Sequence, residues 1–558
     1  MVGKIHSVTA AYGSARKHSI DLNDPDCGDF ERMGREVGRL AAERDHVIGW
    51  GRGTLGAMYT IPEYCLKAGG NAYGVFLERL HQFEYPGPLP KPLLGDIRVR
   101  TWGARTFYLG DVADNAIATI GGFGTLHEIA SDVQNGLDGV NPRPIPVVSF
   151  APNGVNPYKY LYQYYASGAA QGFVPSRACK WLHTASDPEQ VWPDIEGIME
   201  GVAGDQGIQS DRLSRSNYLN GGMPKSYPYG LRAMHDAADV AGHILGRPVP
   251  SVAIVAPRKA YALERALRNE PGSAGVLDMY EGVQNITERL YGNVRIITRA
   301  IESGIEGGVF EKAADLLDDD PEHKYNPREM AKKVVSILPR SIRENRTGDR
   351  SVISERDVPL IETPTHYHAD DLMSVQSDVS LIIPGGPDTA QSFFLGMNAG
   401  NVAMSLNVVS QQQHGDDVMV EIPRRTVLFN PGGITNREFN TMIHANGPEI
   451  EAFTDRPDKT LADLLLLQTA VLMRKYRTIG TKTADLLFVA NTEEQAVQAT
   501  MAMVNRTQEE RMRVNASAFR IPQRQAIPAE ATWGGVPAVR NLEKNILALR
   551  ERGQLVRG

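Results

Sequence analysis

The sequence predicts an α/β protein made of two doubly wound parallel-sheet domains in tandem. Three observations carry this. Along residues 1–200, short apolar runs alternate with segments of helical period, and glycine or a small hydroxyl residue stands at each strand-to-helix turn. At Val252 the pattern starts again and repeats earlier landmarks in order. A chain of 558 residues also exceeds what one hydrophobic core organises, so two or three domains are expected.

In chain order, Ile5 to Ala11 is expected as the first strand, leading into Gly13-Ser14. Phe30 to Arg44 sets Met33, Val37, Leu40 and Ala41 on one helical face. The apolar pair Val47-Ile48 runs into a Gly-rich turn, Gly51-Arg52-Gly53-Thr54-Leu55-Gly56-Ala57-Met58. A helix and Ala68-Gly69-Gly70 follow, then a strand, Ala72 to Leu77. The Pro-rich segment 84–97 reads as a loop over a site, and Arg98 and Arg100 alternate with Val99 and Thr101 as on an extended lead-in. Asn115 to Ile120, with Asp114 at its start, reads as a buried strand, and Leu126 to Asn135 as the next helix. Val147 to Phe150, Leu161 to Gly168 and Leu182 to Ala185 give strand, helix and strand, and Asp187-Pro188-Glu189 opens another helix. The first domain therefore spans 1–202. Residues 203–248 read as a polar linker with a helix from Leu231 to Leu245, residues 249–505 as the second domain and 506–558 as an Arg-rich tail.

The repeat is specific. Asp378 to Ser392 lies in register over Asp114 to Glu128, with the Asp, two Gly and the Thr coinciding. Phe429-Asn430-Pro431-Gly432-Gly433-Ile434 matches Phe150-Ala151-Pro152-Asn153-Gly154-Val155, and Ala490 to Gln495 matches Ala185 to Gln190. Three matches in order favour a tandem duplication. In the copy, Ser392 stands at the place of Glu128, Asp388 at that of Gly124 and Ala369 at that of Arg105.

Composition narrows the function classes. A formal net charge of −7 argues against a nucleic-acid polymer as partner but leaves room for a small anion held by a local Arg. Three scattered cysteines and an N-terminus without a signal-type apolar stretch fit a cytoplasmic protein. Leu461 to Met473, broken by Asp463, Gln468 and Thr469, is too short to span a bilayer and reads as a buried helix.

The chemistry centres on Thr119-Ile120-Gly121-Gly122-Phe123-Gly124-Thr125-Leu126-His127-Glu128. A Gly-rich turn between a strand and a helix start offers free backbone N–H groups to an anion, and Thr125 adds a hydroxyl. Glu128, one turn further on, faces a part of the ligand other than its phosphate. Ser14 and Thr54 are either further hydroxyl donors or helix N-caps. His366-x-His368-x-Asp370-Asp371 and His414-x-Asp416-Asp417 have metal-ligand spacing but read as solvated loop residues. Neither a metal nor another cofactor is expected. The first strand leads to Tyr12-Gly13-Ser14 rather than to a dinucleotide fingerprint.

With Arg105 sixteen residues before Gly121, residues 1–200 resemble the Lonely Guy (LOG) family of nucleoside 5′-monophosphate phosphoribohydrolases. Gly121, Gly122, Gly124, Thr125 and Glu128 match that family's Pro-Gly-Gly-x-Gly-Thr-x-x-Glu motif, and Arg105 falls in register with its arginine. Gly51, Gly53, Thr54, Gly56 and Met58 resemble its earlier loop. Ile120 replaces the motif proline, and Thr106 stands where a Lys is usual. The resemblance implies Rossmann-like domains and hydrolysis of AMP or an N6-substituted relative to base and ribose 5-phosphate. Arg105 and Glu128 would be catalytic. Gly121, Gly122, Gly124, Thr125, Ser14 and Thr54 would hold the phosphate, and Glu63, Asp114 and Gly53 would lie near ribose or base. The second half would serve as a pseudo-dimer partner within the chain, with homo-oligomerisation left open. The rival reading is a nucleotide sensor without turnover, which need not retain Arg105 and Glu128.

Overall fold

A computed structural model describes residues 7–15, 25–77, 80, 93–99, 101–138, 145–205, 249–258, 260–270, 275–321, 327–339, 356, 358–363, 366–415, 418–444, 450–454, 459–517 and 532–533. The first half runs β1 (Val8–Tyr12), α1 (Pro25–Glu43), β2 (Val47–Trp50), α2 (Ala57–Lys67), β3 (Asn71–Leu77), β4 (Leu93–Val99) and α3 (Trp102–Val112). It continues with β5 (Asn115–Ala118), α4 (Phe123–Asp138), β6 (Val147–Phe150), α5 (Lys159–Gln171), β7 (Leu182–Ala185) and α6 (Pro188–Asp205). The second half runs β8 (Ser251–Val255), α7 (Ala260–Leu267), α8 (Val276–Leu290), β9 (Arg295–Arg299), α9 (Gly304–Asp318), α10 (Pro327–Lys333), β10 (Val334–Pro339) and β11 (Leu360–Thr363). Then come α11 (His366–Asp371), β12 (Val379–Ile382), α12 (Pro387–His414), β13 (Arg425–Phe429), α13 (Asn436–Ile443), α14 (Leu461–Arg474), β14 (Leu487–Ala490), α15 (Glu493–Ser517) and β15 (Thr532–Trp533).

One sheet has the order β15-β4-β3-β2-β1-β5-β6-β7, the other β11-β10-β9-β8-β12-β13-β14. All described pairings within them are parallel. The protein is thus α/β and doubly wound, with helices over both faces of each sheet. That explains why β1, β8 and β12 are buried at every residue rather than alternating. The strand order reverses between β1 and β5, and again between β8 and β12, which opens a crevice beyond those strand ends.

The halves share local geometry as well as order. The Asp114 carboxylate accepts from Val8 N at 2.8 Å, and the Asp378 carboxylate from Ser251 N at 2.8 Å. Thr119 N donates to the Tyr12 carbonyl at 3.0 Å, as Ile383 N does to that of Val255 at 2.9 Å. Met58 N reaches the Ser14 carbonyl at 3.0 Å, and Glu306 N that of Pro257 at 3.1 Å.

Helices α3, α4 and α5 pack on α11, α12 and α14 across the seam, so the inner helices lie between the two sheets. This position accounts for the apolar composition of α14, whose residues Leu461 to Met473 are all buried. No helix among the described residues is long and apolar enough to cross a membrane. One apolar core runs through both halves, from Val8 to Val504.

The structure departs from expectation in several places. Leu93 to Ile97 is strand, not loop, because it pairs with β3 and covers that edge; residues 84–92 lie outside the described residues. β1 ends at Tyr12 rather than Ala11, and β5 ends at Ala118. Helix α4 begins at Phe123, which puts Gly124 and Thr125 in its first turn. Helix α15 passes through residue 506, fixed where Arg425 donates to Thr507 Oγ1 at 3.1 Å and to Glu510 at 2.6 Å. From the expected tail, β15 pairs with β4 of the first sheet. The helix expected from Leu231 to Leu245 lies outside the described residues.

Candidate active site

Three loops meet at the C-terminal ends of β1, β2 and β5. The buried Ser14 joins them through its backbone, donating from N to the Ile120 carbonyl at 3.0 Å and accepting from Met58 N. Thr54 does not cap α2. The N-cap of α2 is Gly56, with φ 62° and no side-chain cap hydrogen bond. The β2 loop is shaped by Arg52, which holds φ 68° and forms a two-armed ion pair with Asp96, each bond 2.8 Å. Trp50 Nε1 donates to the Gly53 carbonyl at 3.1 Å.

Gly121 has no room for a side chain, since a Cβ there would collide with Thr125 Oγ1. That close approach lays the Thr125 hydroxyl across the loop at the start of α4, where backbone N–H groups have no helical partner. Thr125, Glu128 and Asp132 share one helical face by their spacing. The Tyr12 hydroxyl donates to Asp132 at 2.9 Å, and the Tyr158 hydroxyl donates to the Thr119 carbonyl. Burial first, and then nearby charge that includes Glu128, raises both phenols well above the usual tyrosine range. Glu128 is itself buried, on the face of α4 turned to the end of β1.

Arg105 enters from α3, whose N-terminus is capped by Thr101 accepting from Ala104 N at 3.1 Å. Its Nη2 donates to the Gly51 carbonyl at 2.9 Å, lies 3.7 Å from Met58 Sδ, and its guanidinium stands 5.6 Å from the Trp102 ring centre. A Cβ on Gly51 would collide with that guanidinium, so this glycine makes room for the arginine.

One expected contact falls elsewhere. Asp114 is at the wrong end of the sheet: its carboxylate fixes the backbone at the first residue of β1, whereas ribose or base would lie beyond the last. Glu63, half-buried on α2, pairs with Lys67 at 2.8 Å one turn on. Sequence reading missed Tyr12 and Tyr158 behind the loop, and Thr478 of the second half, whose Oγ1 donates to the Gly121 carbonyl at 2.8 Å. No local motif marks any of them.

The corresponding crevice of the second half is filled by its own side chains. By the shared backbone bonds, Arg299 occupies the place of Gly51 and Glu306 that of Met58. A guanidinium therefore still sits there, supplied by β9 rather than by a helix. Arg299 binds Asp370 at 2.5 Å, Glu306 at 3.0 Å and Asp388 at 3.2 Å, and Ser392 Oγ donates to Asp370 at 3.2 Å. Asp388 folds back so that a Cβ on Gly386 would collide with its carboxylate, which places a built-in anion at the α12 N-terminus. Asp370 and Asp371 are thus not solvated loop residues. Both are buried on α11, and Asp371 accepts from Gly103 N of the first half at 2.8 Å. Of the other spaced motif, Asp416 and Asp417 lie outside the described residues.

Burial pushes the Glu306 carboxyl up to about 7, with Arg299 and Arg258 opposing and Asp388 adding to the rise. Burial raises Asp370 too. A raised folded-state pKa contributes stability below the unfolded value, 4.5, that is lost as pH rises to about 7. Glu306 alone is expected to account for about 3 kcal/mol of that loss. Urea midpoints measured from pH 4.5 to 8 should fall over this window in the native chain, and Glu306→Gln should remove that part of the slope. An unchanged slope in Glu306→Gln would show that Glu306 ionises freely.

Against known proteins, no family model matches the chain. It is 26% identical over 141 residues, 25% of its length, to the probable cytokinin riboside 5′-monophosphate phosphoribohydrolase LOGL9 of Oryza sativa subsp. japonica. Over those residues the chain resembles a LOG-family protein. The match spans 59% of that rice relative. Solved structures similar to the chain include the molybdenum cofactor carrier protein of Chlamydomonas reinhardtii, at 19% identity and TM-score 0.25, covering 35% of this chain and 98% of that one. The molybdenum cofactor binding protein of Rippkaea orientalis gives 19% identity, TM-score 0.25 and the same coverage.

Proposed function

We propose that the first-half crevice hydrolyses the N-glycosidic bond of a nucleoside 5′-monophosphate, AMP or an N6-substituted relative, giving free base and ribose 5-phosphate. The observation that carries this reading is the convergence of Arg105, Gly51 and the Gly121–Thr125 loop at one sheet end, with Glu128 one turn beyond, in a LOG-like chain. The N–H groups of the loop, Thr125 and the hydroxyls of Ser14 and Thr54 receive the 5′-phosphate. Breaking the C1′–N bond leaves its electron pair on the base and positive charge at C1′. A carboxylate at Glu128 stabilises that charge whichever course the attacking water takes. Arg105 holds the β2 loop against the crevice and keeps a positive charge beside the carboxylate and leaving base. The second half, sharing strand order and the Asp114/Asp378 and Ser14/Pro257 contacts, is a duplicated copy whose filled crevice turns over no substrate and which acts as the pseudo-dimer partner.

The test is a panel of nucleoside 5′-monophosphates with their nucleosides, scored for released base. AMP should exceed adenosine in kcat/KM by at least about 10²-fold, because phosphate held away from C1′ supports catalysis there. Equal efficiency on the two would remove the phosphate loop from the reading. Tight AMP binding with no adenine released would favour a nucleotide sensor.

A further inference from the structure

We propose that Thr478, carried by the second half, is a positioning residue for phosphate binding at the first-half crevice. An anion-binding loop works only when its N–H groups face the anion and its carbonyls are held away, since an inward carbonyl dipole opposes a dianion. The Gly121 carbonyl lies in the middle of such a loop, and the buried Thr478 hydroxyl holds it from behind at 2.8 Å. The adjoining glycines are backed by the same half. A Cβ on Gly122 would stand 3.3 Å from the Thr478 carbonyl and 3.4 Å from Ile479 Cγ1, and one on Gly124 would stand 3.6 Å from the Asn398 amide.

Thr478 is itself fixed. Its N donates to the Leu472 carbonyl at 3.0 Å at the end of α14, after a turn in which Arg477 has φ 49°. The reciprocal contact also brings a first-half hydroxyl to the second loop: Tyr164 Oη donates to the Gly386 carbonyl at 3.0 Å and accepts from Gly385 N at 3.0 Å. After α5, Gly172 takes φ 86° and Phe173 packs on the second loop, its Cδ1 3.2 Å from a Cβ placed on Gly385. There Asp388 already places its own carboxylate against Gly386.

The proposal rests on the phosphate-binding part of the function proposed above; only its kinetic arm needs turnover. The full-length protein is compared with Thr478→Val, which keeps the shape and removes the donor, and Thr478→Ser, which restores it. Calorimetry with AMP and with adenosine gives Kd, base release gives KM and kcat, and thermal unfolding gives Tm. Thr478→Val should raise Kd and KM for AMP about tenfold, with kcat and adenosine affinity within about twofold and Tm within a few degrees. Thr478→Ser should return AMP affinity to within about threefold of native. AMP binding by Thr478→Val equal to native, or equal losses for AMP and adenosine, overturns the proposal. Native protein that binds AMP but releases no adenine defeats the hydrolase reading, and the AMP affinities still decide Thr478. Native protein that binds no AMP overturns both.

Discussion

Glu128→Gln should lower base release from AMP by about 10²-fold or more while AMP binding stays within a few-fold of native, because the group lost acts on charge that exists only as the bond breaks. The substitution preserves volume, so α4 and the hydrogen bond from Tyr12 to its Asp132 should persist. The Gly121–Thr125 loop precedes Glu128 by a full turn and would hold a phosphate through backbone N–H groups, so binding should be spared. Single-turnover release of adenine, with AMP affinity measured in parallel, separates the two effects. Turnover within a few-fold of native would assign the chemistry to another group.

A fragment ending at Gly246 should be insoluble or aggregated, and whatever stays soluble should be poorly active. The inner faces of α3, α4 and α5 are buried against the second half. The Phe123 and Phe394 rings lie 6.4 Å apart, Phe30 meets Tyr476 at 5.9 Å, and Leu161 N donates to Gln468 at 3.1 Å. Each large apolar side chain returned to water costs roughly 1.5–3 kcal/mol, so a handful exhausts a typical stability of about 5–15 kcal/mol. The fragment would also lack Thr478 behind its Gly121–Thr125 loop. A monodisperse 1–246 fragment with native kcat/KM for AMP would make the second half an independent module.

Much of this protein was legible in its sequence because the relevant signals are local. Strand-length apolar runs, helical periods and glycines at strand ends are set within a few residues, and they fixed the two parallel sheets and the composition of the Gly121–Thr125 loop. Matching residues at constant spacing exposed the second half, whose strand order repeats the first. What stayed hidden depends on residues far apart in the chain. Asp114 looked site-adjacent because it borders the strand that leads to the loop, yet which end of a strand faces the crevice is decided by parallel pairing with β1. Position-by-position comparison found Ala369 at the place of Arg105 and suggested a lost charge; packing returned a guanidinium through Arg299 at the place of Gly51. Thr478 carries no motif, and 357 residues separate it from the glycine it holds. Sequence by itself determined the elements and the chemistry each loop can offer, because both follow from neighbouring side chains and backbone freedom. Tertiary structure alone decided which half fills its crevice and which residue backs the other's loop, because those contacts exist only once two sheets have packed their inner helices together.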